Sequence, residues 1–374
     1  MKNTFRKGLA LLMVLCLLVP LLGIPALAAL SDDPYSDQQW NLEMIGAEQG
    51  WQSGLTGRGV RVAIIDSGVS TTTGDFDPDR LLAGKNVADE TQSTEDTEGH
   101  GTFIAGIIGA AKDNGVGIAG IAPGVTIVPI KTTDGSTIHV GVNSAAFYAA
   151  IDEFHCDVIN YSTGTTVPSE EYREMVRYAD SKGVIVVSSV GNKGDSTVQY
   201  PAAFDEVIGV GSIGRTMECS SFSQHNSSVF VTAPGEKITS LSLGSGTVRT
   251  GSGTSYSTPH VVGLAALLKE AHPEMTTADF KEILKASCLD LGDEGYDEYY
   301  GWGLIRIPEA ISAAEEYFAS HTPDEPDPSP EPTPEPTPDP GSSWLDFFNF
   351  NWLRDLFRNI IRSLFKGWNL NFSL

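Results

Sequence analysis

Basic residues are scarce in this chain: 24 Lys and Arg stand against 48 Asp and Glu, for a formal net charge of −24. The acidic excess falls almost wholly on the central segment, which excludes nucleic acid as its partner. Solubility and repulsion of anionic surfaces are the expected consequences. Cysteine is scarce too, with four in 374 residues. Cys16 lies in the N-terminal apolar stretch and lacks the small preceding residue of a lipidation signal. Cys156, Cys219 and Cys288 are odd in number, scattered and without metal-ligand spacing. They read as small buried hydrophobes, so this chain does not depend on a disulfide framework.

What is present begins with Lys2, Arg6 and Lys7, a long apolar stretch from Leu9 to Leu27, and the A-x-A pattern Ala26-Leu27-Ala28. That is a secretory signal peptide over residues 1–28, cleaved after Ala28; an uncleaved membrane anchor is the alternative. The protein is therefore expected to be secreted or associated with the cell envelope. About 290 residues then remain for one large core. Apolar runs at Val60–Ile65, Ile127–Lys131, Val158–Tyr161, Val184–Ser189 and Val207–Val210 alternate with helical stretches at Val142–Glu153, Glu170–Lys182, Pro259–Ala271, Thr277–Ala286 and Ile307–Ala319. The alternation predicts an α/β fold: a mostly parallel sheet covered by helices on both faces.

Three glycine-flanked segments carry the chemistry. VRVAIIDSGV (60–69) is a buried-strand pattern ending in Asp66, at the end of the strand where open α/β sheets gather their sites. GHGTFIAGIIGA (99–110) puts His100 at the mouth of an apolar helix. TGSGTSYSTPHVVG (250–263) presents Ser255 at a helix start, where free N–H groups favour negative charge. Alone, each has a plainer reading as a cap, a structural histidine or a turn. Together they supply a nucleophile, a base and an orienting carboxylate. The other histidines lack such a context, and His260 reads as a packing residue.

DSG at Asp66, HGT at His100 and GTS-x-S-TP-H at Ser255, in that order, resemble the signature blocks of the subtilisin family of serine endopeptidases. The similarity runs from about residue 33 to about 318 and is nearest the thermitase-like branch. It implies a three-layer subtilisin-like fold and peptide hydrolysis through an acyl-enzyme. Ser255 attacks, His100 moves the proton, and Asp66 holds the imidazole tautomer. Asn192, in VIVVSSVGNKG, matches the family's oxyanion-hole asparagine beside the Ser255 N–H. By itself it is a common post-strand turn.

The resemblance also implies a cleft that adds an extended peptide as a strand between Ser162-Thr163-Gly164 and Gly135-Ser136-Thr137. Both segments otherwise read as ordinary loops. The S1 pocket falls between 162–165 and 189–192, with Lys193 at its rim and Gln199 at its base, so small, polar or acidic P1 residues are expected over large aromatics. Tyr256 replaces a familiar oxidisable methionine; it narrows the leaving-group side or simply packs.

The turn-rich KDNGVG insert matches a structural calcium site of the thermitase-like branch. Its matching ligands are the side chains of Asp33, Asp75 and Asn114 and the carbonyls of Ala111, Val116 and Ile118. Asp75 as the cap of a local turn is the alternative. Only a few residues separate Ala28 from the enzyme's own N-terminus, so no long inhibitory pro-domain is expected.

The peptidase domain is expected over 29–320, followed by an acidic, proline-rich, extended spacer over 321–341. Residues 342–374 then show apolar positions at a helical period opposite Arg354, Arg358, Arg362 and Lys366. The charges interrupt any membrane-spanning run. An interfacial amphipathic helix on a membrane surface is expected; docking on an envelope protein, self-association and packing on the enzyme are the other readings. The expected function is a secreted endopeptidase acting on polypeptides and held near the envelope. The alternative is an inactive protease-fold scaffold. The oligomeric state is open.

Overall fold

The computed structural model describes residues 31–133 and 140–321. The signal segment, residues 135–137, the spacer beyond His321 and the 342–374 tail lie outside the described residues.

Seven strands form one sheet: β1 (Arg61–Asp66), β2 (Lys85–Asn86), β3 (Thr126–Lys131), β4 (Val158–Tyr161), β5 (Ile185–Ser189), β6 (Val207–Ile213) and β7 (Val231–Pro234). Their order is β2-β3-β1-β4-β5-β6-β7, with every pairing parallel. The strands are β-branched runs buried on both faces. Val62, Ile64, Val158, Ile185 and Val187 enter one core; Ala63, Ile65, Ile159, Tyr161 and Val186 enter the other. Period-two alternation between two apolar layers requires helices above and below.

They are there. On the first face lie α1 (Trp40–Ile45), α2 (Ala47–Gln52), α3 (His100–Gly109), α6 (Thr254–Ala271), α7 (Thr277–Ser287) and α8 (Ile307–His321). On the second face lie α4 (Val140–Tyr148), its π-helical continuation Ala149–Glu153, and α5 (Glu170–Ser181). A two-stranded antiparallel ribbon, β8 (Ile238–Leu241) with β9 (Val248–Gly251), precedes α6. The expected α/β three-layer architecture holds. No helix among the described residues is long and apolar enough to cross a membrane. Cys156, Cys219 and Cys288 are all unpaired, and burial pushes the Cys156 and Cys288 thiols up to about 12.

Two details position the site. The chain runs from β1 to β3 on one side and then crosses to β4 on the other, so β1 lies at the switch point of the sheet. Helix α6 starts five residues earlier than its apolar stretch, and carries Pro259 in its second turn. Proline has no N–H to offer the carbonyl one turn back, which is that of Ser255. Ser162 Oγ, just past β4, donates to that carbonyl instead, at 3.2 Å.

Candidate active site

Asp66 ends β1 and is nearly buried, and Ser67 N–H donates to its Oδ1 at 2.7 Å. His100 opens α3 and reaches back, its Nδ1 lying 2.8 Å from Asp66 Oδ1 and 2.9 Å from Oδ2. Two glycines permit this approach. A Cβ on Gly101 would meet the Gly68 carbonyl oxygen at 2.1 Å, and one on Gly68 would meet the Thr94 carbonyl oxygen at 2.2 Å. Gly68 also has φ +104, a conformation side chains disfavour. Asp96 fixes the start of the helix: its carboxylate accepts the N–H groups of Glu98, Gly99 and Thr102 and the Thr102 hydroxyl. Nothing in the sequence pattern singled out Asp96; the signal was an acid three residues before the helix N-cap Gly99.

The His100 side chain keeps 36% of its surface exposed. Desolvation opposes its protonation, but the Asp66 carboxylate outweighs this through its charge and hydrogen bond. Arg249 subtracts and Asp96 adds, and the net pKa is raised above 6.5. The imidazole is therefore neutral, and able to accept a proton, only as pH rises through that elevated value.

Ser255 is the second residue of α6 and half-buried. Its hydroxyl donates to the Ser162 carbonyl at 3.2 Å, so the two serines are joined in both directions. No hydrogen bond joins Ser255 to His100 among the described residues; in ligand-free sites such contacts are commonly long and tighten with substrate. Asn192 lies three residues beyond β5, exposed. Its Oδ1 accepts the Thr254 N–H at 2.8 Å and the Thr254 hydroxyl at 2.9 Å. This pins the amide beside the backbone N–H of Ser255 and commits its oxygen, which leaves Nδ2 to donate outward.

Thr163 and Gly164 follow β4 with backbone groups that make no hydrogen bonds among the described residues, as an edge open to strand addition must. The opposite segment, with Ser136, lies outside the described residues. Gln199 sits between the two expected pocket walls. A Cβ on Gly164 would meet its Nε2 at 2.6 Å, and one on Gly191 would meet its Oε1 at 2.7 Å. A reciprocal backbone pair, Thr165 with Tyr200, holds the neighbouring chain. Buried Gln224, which no sequence motif marks, closes in from behind Gly191. Lys193 is exposed, with Asp195 near enough to feel its charge.

At the loop following α3, Asp33 and Asp75 are both buried and neither pairs with a cationic side chain among the described residues. Asp33 accepts the N–H groups of Asp113, Asn114 and Gly115; Asp75 accepts Asn114 Nδ2 at 2.9 Å and Ile118 N–H at 2.9 Å. Burial pushes the Asp75 carboxyl up to about 7; these hydrogen bonds pull it down, and the charge of Asp33 adds to the rise. The carbonyls of Ala111, Val116 and Ile118 accept no hydrogen bond among the described residues. Hard oxygen donors, buried carboxylates without a counter-charge and uncommitted carbonyls fit a calcium ion. Asn114 Oδ1, by contrast, is turned to the Val116 N–H at 2.8 Å. Asp32, Asp33 and Asp113 also bring ligand oxygens within 4.8 Å of one another, and of these only Asp33 is among the expected ligands.

A family model described as the subtilase family matches residues 57–303. The minor extracellular protease Epr of Bacillus subtilis is 38% identical over 287 residues, covering 75% of this chain and 43% of that protein, so the chain spans less than half of that relative's length. Subtilisin BL of Lederbergia lenta is 34% identical over 274 residues, covering 72% of this chain and 97% of that one. A solved protease from Pseudoalteromonas arctica superposes with a TM-score of 0.69 at 26% identity, over 76% of this chain and 99% of that one. With its sheet, its helices and the span of these matches in agreement, the chain belongs to the subtilase family of serine-type endopeptidases.

Proposed function

We propose that this chain is a secreted endopeptidase whose reaction runs on Asp66, His100, Ser255 and Asn192. The observation that carries the reading is the Asp66–His100 pair, 2.8 Å apart, with the Tyr256 ring 5.6 Å from the imidazole and its neighbour Ser255 at a helix N-terminus beside a pinned asparagine amide. Ser255 Oγ attacks the scissile carbonyl carbon as its proton passes to His100 Nε2. The carbonyl oxygen, now negative, is met by Asn192 Nδ2 and the Ser255 N–H. His100 then gives the proton to the departing amine, leaving an acyl-enzyme that water clears by the same steps. Asp66 stays ionised throughout and steadies the imidazolium. The test is labelling of the purified protein by a fluorophosphonate serine probe, beside Ser255→Ala. Labelling confined to the wild type supports the reading; no labelling of a folded wild type favours a protease-fold scaffold.

Gln199 between Gly164 and Gly191 supports a shortened S1 pocket. Gln199→Gly is expected to raise kcat/KM for P1 Phe over P1 Ala by about tenfold or more, the scale of filling or emptying an apolar pocket. An unchanged ratio in a peptide series would remove Gln199 from the pocket.

Asp33, Asp75 and Asn114, with the carbonyls of Ala111, Val116 and Ile118, would hold a calcium ion, which would tie the post-α3 loop to the N-terminal segment. Chelation with EGTA is expected to lower the Tm by about 5–10 °C, and added calcium to restore it. An identical Tm in EGTA and calcium would count against the site. For the tail beyond residue 341, the helical period and basic face support an interfacial anchor near the envelope; binding of a 342–374 peptide to anionic liposomes tests it.

A further inference from the structure

Arg249 occupies a place beside the reacting groups that the mechanism above does not use. It projects from β9, half-buried, and its Nη2 donates to the Gly99 carbonyl at 3.1 Å. Its guanidinium also reaches the Tyr256 hydroxyl at 3.4 and 3.5 Å. The cation lies 4.4 Å from the centre of the Phe103 ring and 5.9 Å from that of Tyr256. Gly99 precedes His100 and Tyr256 follows Ser255, so these contacts set the guanidinium against the base and the nucleophile at once. Aromatic faces and a backbone carbonyl hold the planar group without neutralising it.

No carboxylate forms an ion pair with Arg249 among the described residues. That is notable in a chain with twice as many acidic as basic residues, 48 against 24. The position relative to the scissile bond also follows from contacts. Ser162, which exchanges hydrogen bonds with Ser255, begins the segment that the proposed cleft assigns to the acyl half of the substrate. Arg249 contacts Gly99 and Tyr256, the neighbours of His100 and Ser255, and not the Ser162 segment, so in the proposed mechanism it stands on the side where His100 hands its proton to the departing amine. The Tyr256 ring is set at 5.6 Å from the His100 ring, and Gly251 offers no side chain to obstruct it: a Cβ there would meet Tyr256 Cε2 at 2.6 Å. Leu243, 38% exposed beside Gly99, supplies an apolar border. The departing chain thus meets a wall with one fixed, unpaired cation.

Resting on the endopeptidase reading, we infer that Arg249 is a specificity-determining residue that selects Asp or Glu in the first two positions after the scissile bond. A planar guanidinium already held at its edges presents its remaining N–H groups to a carboxylate without ordering a long side chain anew. Half-burial keeps the attraction from being fully screened.

The experiment uses internally quenched peptides, amidated at the C-terminus so that only side chains carry carboxylates. They differ by Glu, Gln or Lys at the first or at the second position after the bond. The full chain is assayed as wild type, Arg249→Gln and Arg249→Lys, and the quantity read is the Glu-to-Lys ratio of kcat/KM within each protein, so that partial loss of folded enzyme cancels. The expected ratio is about tenfold or more at one of the two positions in the wild type, falling with added salt. It should approach unity in Arg249→Gln and persist in part in Arg249→Lys. A wild-type ratio near unity at both positions overturns the assignment, as does a preference that survives in Arg249→Gln. Cleavage of the Gln peptides by the wild type and not by Ser255→Ala upholds the protease reading independently of the ratio. If no peptide is cut by the wild type, that reading fails and this one with it.

Discussion

His100→Ala should lower kcat by about 10⁶-fold, the scale established for the equivalent loss in subtilisin, while the protein stays folded. The side chain contributes little to the core: it stands partly in solvent, and among the described residues its hydrogen bonds are to Asp66 alone. Helix α3 keeps its N-terminal anchorage, because Asp96 holds the Glu98, Gly99 and Thr102 N–H groups without it. What disappears is the group proposed to remove the Ser255 proton. That hydroxyl would then stay on the Ser162 carbonyl, where it lies at 3.2 Å without substrate. If base and nucleophile act as one unit as proposed, Ser255→Ala added to His100→Ala should cost nothing further. Steady-state kinetics with a circular-dichroism melt decide it; a loss of only tenfold, or a further large loss in the double variant, would break the proposed roles.

Asn192→Ala should cost about 10²–10³ in kcat, again the scale established for a subtilisin oxyanion-hole amide, with KM little changed. The amide oxygen already accepts two hydrogen bonds from Thr254, so the side chain is locked before substrate arrives. A donor fixed in advance stabilises charge that exists only in the transition state, and its removal therefore acts on kcat. Asn192→Ala also releases the Thr254 N–H and hydroxyl at the start of α6. Asn192→Asp separates the two effects: its oxygen can keep Thr254 while the outward donor is lost. A fall in kcat as large as that of the alanine variant is expected. A near-normal kcat in Asn192→Asp would assign the residue to holding α6.

Much of the fold was legible because buried parallel strands are apolar on both faces. Runs such as VRVAIID and VIVVSS leave no other economical reading. The edges were less so. Strand β7 is four residues ending in proline, and β9 reads Val-Arg-Thr-Gly, half-exposed, without alternation. Pro259 looks like a first-turn proline and blurs the helical pattern before it, although Ser255 was expected at a helix start; the early turn survives because Ser162 satisfies the carbonyl that proline leaves open. At the site, Asp66, His100, Asn192 and Ser255 each sit at a strand or helix end with flanking glycines, and that context is local in sequence. Arg249 and Gln224 reach Gly99 and Thr197 across 150 and 27 positions and leave no local trace, whereas Asp96 acts on the N–H groups just after it without standing in any of the three motifs. The acidic loop shows the same limit, since Asp32 joins Asp113 only after the N-terminal segment folds across 81 positions.

The packing of α6 has a temporal side. The helix that carries Ser255 lies against β1, β4, β5, β6 and β7, so its docking surface is complete only when all these strands exist. A chain emerging N-terminus first presents the acid and the base early and the nucleophile last. Until the ribosome has passed Ala271, the growing polypeptide holds His100 and Asp66 without the completed helix that carries Ser255. On the proposed roles, the three groups cannot come together until most of the peptidase fold has been made.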